Sequence, residues 1–418
     1  MAFDLKFENV FKSSTACWHL TRCHPSIVRN NLWKIQVLAI TMMSVSCFFL
    51  LLYSILFHDI IDKRFTDVTK NGTILIVSIT ITLKYYILIQ HRASIRDAIK
   101  VIDDDYELAK DYSDEEKMIV LHYAQRGIRV CKYWIVAAFA TGVTFPVKAF
   151  SSMIVAYYWH GQFEAVPMFD VRYPKIIEQN KNEIPMFCVL FMLHLTFGFY
   201  AMIMHIGFDP LVPILMIHTC GQLDLLSRKL SQLLANTEDP KEIEEELKKI
   251  IKKLLLLYGF IDQVKNNFTM LFEYILKTTT LLLPLSAFQV VEVCKMITIG
   301  SSPNVIIAPN LIFQGLRNKY INVEFMSFFI GGILHFFIPC YYSDLLMETS
   351  ENFRQAVYSC GWEKCPDKRV RKIILFMLIR ARVPMGVITI FYKVNLDTFA
   401  ETCRQSYTIF NLMNAAWT

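Results

Sequence analysis

The sequence predicts an all-α fold: a bundle of seven transmembrane helices with the N-terminus inside the cell, the C-terminus outside and a helical anchor region in the cytoplasm. Three observations predict it. Of the 418 residues, 54% are hydrophobic and 19% are charged, which is more apolar than an ordinary soluble domain. Long runs with few or no charges recur along the chain. The connections between these runs are alternately rich and poor in Lys and Arg.

The transmembrane helices are predicted from segment length. A hydrocarbon core of about 30 Å requires about 20 apolar residues in a helix. The segment 373–394 is also apolar, but Arg380, Arg382 and Pro384 interrupt it, so we expect it to stay outside the membrane. Seven segments are long enough and form the predicted spans, residues 37–57, 72–90, 133–159, 184–206, 268–293, 323–342 and 396–416.

Basic residues in the connections predict the orientation. The N-terminal segment and the second, fourth and sixth connections together hold 30 Lys and Arg, whereas the remaining connections hold nine. Basic residues are retained on the cytoplasmic side, so the N-terminus is predicted inside, and an odd number of spans then places the C-terminus outside. This distribution accounts for the formal charge of +6, and no nucleic-acid partner is expected.

The predicted spans divide the chain into five parts. Residues 1–217 hold an N-terminal segment and spans one to four, and 218–267 form a cytoplasmic helical extension. Spans five and six occupy 268–342, a cytoplasmic loop and helix occupy 343–395, and the candidate pore helix occupies 396–418. One apolar face of the extension predicts packing on other cytoplasmic helices such as 369–382, or alternatively on the membrane surface. That face consists of Ile243, Leu247, Ile250, Leu254 and Leu257.

Motifs for catalysis and metal binding are missing from the sequence. It has no Gly-rich phosphate loop, nucleophile elbow or group of His residues at metal spacing, so we predict neither an enzyme nor a cofactor or metal site. Cys360 and Cys365 form an isolated pair, better interpreted as reduced thiols than as zinc ligands. His194 lies in the middle of the fourth span without an acidic residue one turn away, which favours a packed, hydrogen-bonded side chain over a functional one.

The last span is too polar to face lipid and carries the strongest functional signal. Residues three or four apart form one helical stripe that changes from acidic through polar to apolar. An acidic group at a pore mouth favours cations and an apolar ring can gate by dewetting, so several subunits would each contribute one such helix to a cation pore. The alternative is a buried face between helices with its polar groups hydrogen-bonded. The stripe consists of Glu401, Gln405, Thr408, Leu412 and Ala416.

Aromatic side chains with occasional hydroxyls on the other spans form a second candidate site, a ligand pocket. An apolar pocket of this composition suits a small volatile or lipid-like ligand. For any single residue of the set, core packing is the more frequent role of an aromatic side chain in a bundle. The candidate pocket residues are Ser78, Thr82, Phe145, Phe150, Ser152, Met153, Tyr157, Phe187, Phe191, Phe197, Phe325, Phe328 and Phe329.

Two stretches near the C-terminus, SENFRQAVYSCGWEKCPDKRVRKIILFMLIRARVP and ITIFYKVNLDTFAETCRQSYTIFNLM, contain a series of characteristic positions. In their order and spacing these positions resemble the insect odorant receptor family. The segment MFDVRYP at 168–174 is similar to members of that family from social insects. The matching positions are Ala356, Tyr358, Trp362, Pro384, Leu396, Phe399, Ser406, Tyr407 and Phe410.

The resemblance implies an odorant-gated, non-selective cation channel in the plasma membrane of olfactory sensory neurons. It implies a hetero-tetramer with a shared co-receptor, in which this chain binds a small hydrophobic odorant among spans two to six and cytoplasmic helices anchor the subunits. The last helix would line the pore, with gate positions at Leu412 and Ala416. The co-receptor carries a larger aliphatic residue at the second position and a long insertion in the fourth connection, so this chain resembles a tuning subunit.

Three other classes share some of these features. A G-protein-coupled receptor has seven spans, but its N-terminus is outside, and the sequence lacks its acidic-Arg-aromatic triplet after the third span. A gustatory receptor has the same architecture, and the pair Ser406-Tyr407 favours the odorant branch. A transporter would show broken helices at matching positions in two halves, which this sequence does not.

Overall fold

The computed structural model describes residues 5–161, 165–237, 239–299 and 323–417. Most of the predicted fifth connection, including Arg317 and Lys319, lies outside the described residues, as does Thr418. The described chain is almost entirely helical, with one isolated β-bridge between Ile388 and Lys393. Its α-helices are α1 (Phe7–Val10), α2 (Lys12–Leu20), α3 (Asn31–Ser54), α4 (Phe65–Gln90), α5 (Arg92–Leu108), α6 (Asp114–His160), α7 (Lys175–Asn180), α8 (Ile184–Phe208), α9 (Leu211–Asn236), α10 (Pro240–Ile299), α11 (Val323–Ser359), α12 (Lys368–Arg380) and α13 (Leu396–Trp417).

Six stretches of helix in the described chain are long and apolar enough to cross a membrane. The seventh predicted span, α13, is more polar and packs against α10 and α11. The predicted bundle of transmembrane helices is confirmed. The six apolar stretches are Asn31–Asp59, Phe65–Gln90, Asp114–Trp159, Ile184–Asn236, Pro240–Val291 and Glu324–Lys364.

Several helices are much longer than a membrane is thick. At a rise of 1.5 Å per residue, the 47 residues of α6 extend about 70 Å and the 60 residues of α10 about 90 Å. A capping box starts α6, because the Ser113 hydroxyl accepts from the Glu116 amide while the Glu116 carboxylate accepts from the Ser113 amide. The third predicted span therefore lies within a helix that begins well before residue 133, and the fifth lies within a helix that begins at Pro240, as the sequence predicts for the fourth connection.

The predicted apolar face of the fourth connection is buried within one continuous helix. All five of its residues, from Ile243 to Leu257, are buried along the first half of α10. The helix α12 packs against α10, where the Arg380 guanidinium lies 3.7 Å from the centre of the Tyr258 ring. The Tyr258 hydroxyl also donates to the Arg380 carbonyl at 3.3 Å. The basic amphipathic segment is thus a packing partner of the extension, as predicted.

One buried carboxylate connects three helices in this region. Asp105 of α5 lies 2.9 Å from the His218 Nε2 atom of α9 and pairs with Lys253 of α10. Burial acts to raise the pKa of Asp105, but the hydrogen bonds and positive charges of His218 and Lys253 outweigh it and hold that pKa below its ordinary value. The ionised carboxylate therefore stabilises the folded arrangement of the three helices.

Replacing Asp105 with asparagine should lower the unfolding temperature of the chain at pH 7, because the Lys253 ammonium loses its buried partner. Because the pKa of Asp105 is lower in the folded chain than its ordinary value of 3.8, ionisation of Asp105 stabilises the folded state at any pH above 3.8. This stabilisation is lost as the pH falls from 3.8 through the lower pKa of the folded chain. Thermal unfolding of the detergent-solubilised chain measures both effects. Asp104→Asn, at an exposed neighbouring position, is the matched control and should leave the unfolding temperature unchanged.

At the other end of the bundle, the segment after α6 folds back onto the end of α3 and the first turns of α4. The Arg172 amide donates to the Ser54 hydroxyl at 3.0 Å, and the Asn71 side-chain amide donates to the Asp170 carbonyl at 3.2 Å. Asn71 also donates to Asp59 at 2.8 Å and is 1% exposed. It is the first residue of the glycosylation sequon Asn71-Gly72-Thr73, and its burial makes it unavailable for glycosylation. These bonds hold residues 165–173 against the bundle.

Candidate functional site

The stripe predicted on the last helix points away from the rest of the chain. Glu401, Gln405, Thr408, Leu412 and Ala416 are all exposed on α13, Leu412 to 66%. The opposite face is the packed one, where Thr402 and Ser406 are buried and the Ser406 hydroxyl reaches the Thr280 carbonyl of α10 at 3.4 Å. The alternative of a face buried within this chain is therefore wrong for the stripe.

The acidic end of the stripe borders a cavity. The cavity, of about 690 Å³, lies between α10 and α13, and Glu401 and Gln405 line it together with Asp397 and Lys277. The Glu401 carboxylate lies 2.7 Å from Arg404 of the same helix and accepts from the Gln405 amide at 3.3 Å. The charges of this end thus pair along α13 in positions open to water.

Some of the predicted aromatic pocket residues meet in one cluster. The Phe145 ring of α6 lies 6.0 Å from Phe325 and 5.4 Å from Phe328, both on α11. Phe169, from the segment that folds back, completes the cluster at 5.3 Å from Phe145 and 6.4 Å from Phe197 of α8. The sequence analysis did not include Phe169 among the pocket residues. In the structure Met168, Phe169, Val171 and Tyr173 are all buried. The signal was the run of apolar residues interrupted by Asp170 and Arg172.

A cavity of about 820 Å³ lies beside this cluster, between the folded-back segment and α8. Phe187 and Phe191 line it, as do Leu190 and His194 from the same helix. Residues 165, 167, 168 and 170–173 close one side of the cavity. Charged side chains form its rim, namely Arg64, Asp67, Lys70, Asp170, Arg172 and Lys181.

The other predicted pocket residues lie elsewhere. Thr82 is 2.7 Å from the Ser44 hydroxyl, so it belongs to the contact between α3 and α4, and Ser78 is buried one turn before it. Phe150 and Tyr157 are largely exposed on α6, although the Phe150 ring lies 5.2 Å from Phe191. The remaining three do not line the 820 Å³ cavity either, with Met153 buried and Ser152 and Phe329 half-buried.

A buried polar network joins three of the spans. The Lys84 ammonium of α4 is fully buried and lies 2.6 Å from Asp209, at the end of α8, and 2.7 Å from His335 of α11. His205 completes the network at 2.7 Å from the second Asp209 oxygen, and the Trp134 indole of α6 stacks on its ring at 6.2 Å. The sequence signal of this network is that Lys84, His205 and His335 each lie within a predicted apolar span.

Two groups of side chains within the described residues lie close enough together to hold a metal ion. In the network, the ligand atoms of His205, Asp209 and His335 lie within 4.8 Å of one another. Lys84 donates into the same space, so its ammonium already provides the positive charge that this group would take from a metal. The second group, Glu8, His19 and His24, lies near the N-terminus.

Comparisons with known proteins point to one family. A sequence model of the family described as 7tm odorant receptor matches residues 64–301 and 305–407. Odorant receptor 13a of Drosophila melanogaster is 23% identical over 225 residues, which cover 50% of this chain and 48% of that protein. Odorant receptor 10a of the same insect is 18% identical over 313 residues, or 72% and 70% of the two chains. The first of these alignments thus spans about half of the relative's length.

The fold has a close counterpart among solved structures. The insect olfactory receptor OR5 from Machilis hrabei, in complex with eugenol, superimposes with a TM-score of 0.75. The superposition covers 98% of this chain and 97% of that one at 14% sequence identity. Such a likeness extends over nearly the whole chain.

Proposed function

Because this chain belongs to the insect odorant receptor family, we propose that it is the odorant-binding subunit of a ligand-gated, non-selective cation channel that it forms with a co-receptor. The chain is a multi-pass membrane receptor and not an enzyme. The matched family and relatives are odorant receptors, so neither the gustatory receptor nor the G-protein-coupled receptor is favoured.

The observation that carries the proposal is the outward stripe of α13. Its polar residues, led by Glu401, do not face the chain's own bundle, and a helix with this composition is unfavourable in contact with lipid. Water and the α13 helices of neighbouring subunits would provide hydrogen-bond partners for these polar residues. The pore would then pass from acidic Glu401, through Gln405 and Thr408, to an apolar constriction at Leu412, with a smaller contribution from Ala416.

An exposed apolar face on α12 supports assembly with other subunits. Leu375, Phe376 and Ile379 are more than half exposed, Phe376 to 68%, on a helix whose sequence predicts a cytoplasmic position. Apolar side chains grouped in water mark interaction sites. We infer that this face, together with exposed Leu255 and Leu256 of α10, contacts the partner subunits of a hetero-tetramer.

The distribution of basic residues supports the orientation, with the N-terminus inside and the C-terminus outside. The 820 Å³ cavity would then open to the outside, where an odorant arrives, and the plasma membrane of olfactory sensory neurons is the proposed location. Its volume falls within the range of small-molecule pockets. A relative of this fold binds eugenol, which supports a small, largely apolar ligand here.

Co-expression with the co-receptor should produce an odorant-evoked cation current that persists when G-protein signalling is blocked. Whole-cell recording with a broad panel of volatiles measures it, and cells that express the co-receptor alone supply the control. Antibody tags on each terminus test the orientation in the same cells. With both subunits at the surface, silence across the panel would argue against the channel function, and a C-terminal tag that is reached only after permeabilisation would overturn the orientation.

A further inference from the structure

His194 is a buried polar side chain whose hydrogen-bonding capacity is unused. It is 3% exposed, and within the described residues no protein group hydrogen-bonds to its ring nitrogens. Its neighbours are aromatic, with the Phe169 ring at 4.9 Å and the Tyr173 ring nearly parallel at 6.4 Å. Buried polar groups are nearly always hydrogen-bonded, because an unmet bond destabilises the fold. The imidazole nitrogens are therefore free to bond to water or to a ligand in the adjoining cavity.

The place for such a partner is the 820 Å³ cavity, which His194 lines. Phe187, Leu190, Phe191 and His194 follow one another at helical spacing, so they share the face of α8 that borders the cavity. The first three offer apolar surface and His194 the polar contact, with Met168 on the opposite wall. The α8 side of the cavity is thus apolar with one polar group, a combination common in small-molecule sites, whereas the charged residues belong to the other sides.

The rim of the cavity argues against a charged ligand, because its charges are already paired. Lys181 lies 2.6 Å from Glu178, and Arg172 lies 3.8 Å from the same carboxylate. Arg64 is held by three carboxylates, those of Asp59, Asp62 and Asp67. Lys70 lies 3.9 Å from Asp170. An ionic ligand would have to displace one of these pairs, whereas a neutral one would not.

We propose that His194 hydrogen-bonds the ligand of this chain, which is a small neutral molecule with an apolar body and an oxygen function, such as an alcohol, aldehyde or ketone. A neutral imidazole has one donor and one acceptor nitrogen, so it can bind a carbonyl or a hydroxyl group. A hydrocarbon of the same length would leave the imidazole unpaired. The inference rests on the proposed function in that the ligand is the odorant.

Chemical protection of His194 tests the site without any need for current. The full chain in lipid nanodiscs is treated with diethyl pyrocarbonate, which modifies accessible imidazoles, and each histidine is quantified by mass spectrometry. Saturating 1-octanol and 2-octanone should reduce modification of His194 at least severalfold, while 1-octene should not. His122, exposed on α6 and away from the cavity, is the control for the reagent and should react equally in every sample.

Two variants test the same contact in the co-expressed channel. His194→Phe removes the hydrogen bond and keeps a planar apolar ring, whereas His194→Gln keeps a donor and an acceptor. The phenylalanine variant should need roughly three- to tenfold more of an oxygenated agonist, the change expected for one lost hydrogen bond. The glutamine variant should stay closer to the unmodified chain.

The outcomes separate the inference from the channel proposal. Protection by the oxygenated probes without any current would leave the His194 site intact and remove the channel function. Equal protection by 1-octene, or no protection by any probe, would overturn the role of His194 whatever the current. A current that responds equally to oxygenated agonists in the phenylalanine variant would do the same.

Discussion

Replacing Asp209 with leucine should remove most of the chain from the cell surface. In the unmodified chain the fully buried Lys84 ammonium lies 2.6 Å from an Asp209 carboxylate oxygen. The substitution leaves this ammonium without a counter-charge. Breaking a buried ion pair by removal of one partner costs about 3–5 kcal/mol, a large part of the stability of a folded chain. His205 and His335, which also face Asp209, would lose a partner in the same step. Surface biotinylation and thermal unfolding in detergent measure the loss.

The double variant Lys84→Met/Asp209→Leu separates charge from shape. It removes both charges and fills the space with apolar atoms, so it should regain much of the surface expression that the single variant loses. Lys277→Met is a matched control, since this lysine also lies in a span but its side chain is 66% exposed. A double variant as poorly expressed as Asp209→Leu would show that the unpaired ammonium is not the cause.

Charge reversal at Glu401 should reduce the preference of the channel for cations. Glu401→Lys places a positive charge beside Arg404 at the acidic end of the stripe, where both side chains are exposed. Two unit charges about 4 Å apart in water interact with an energy of about 1 kcal/mol. Replacing a negative charge with a positive one turns this attraction into a repulsion of the same size, so the energy of a passing cation changes by about 2 kcal/mol. We expect cation conductance to fall by a factor of about 5 to 30, with the reversal potential shifted toward that of chloride.

Arg404→Gln provides the opposite change on the same turn of α13. It frees the Glu401 carboxylate from its partner at 2.7 Å, so cation selectivity should be kept or increased. Reversal potentials in asymmetric sodium chloride compare the two variants at matched surface expression. If Glu401→Lys channels keep the reversal potential of the unmodified channel, the residue does not face the conduction path.

The sequence predicted the spans and the cytoplasmic helix because both depend on local patterns. Composition alone predicts the first span, because the run 37–57 is wholly uncharged. Helical spacing predicts the apolar face from Ile243 to Leu257, which is buried. The length of α6 was not predicted, because hydropathy falls where a helix leaves the membrane whether or not the helix continues. The Ser113 and Glu116 pair marks its true start.

Contacts between distant residues were out of reach. Asp209 lies just beyond the predicted end of the fourth span, where a carboxylate would be solvated and would need no partner, so nothing connected it to Lys84. Phe169 lies in a connection, and the contacts that bring that segment over the bundle, such as the hydrogen bonds of Asn71 and Arg172, join residues about 100 positions apart. The stripe of α13 is the opposite case, since its residues are close in sequence and helical spacing alone places them on one face, which is exposed in this chain.

The pairing of Lys84 with Asp209 also constrains how the chain is made. Ribosomal synthesis delivers α4 to the membrane before Asp209 exists, so the ammonium enters lipid with its final partner still missing. Lys84 lies six residues from the end of α4, about 9 Å along the helix axis, within reach of the headgroups for a long side chain. The carboxylate of Asp209 comes within reach of the lysine only when α8 has joined the bundle. We therefore expect stable insertion of the second span to depend on the presence of the fourth.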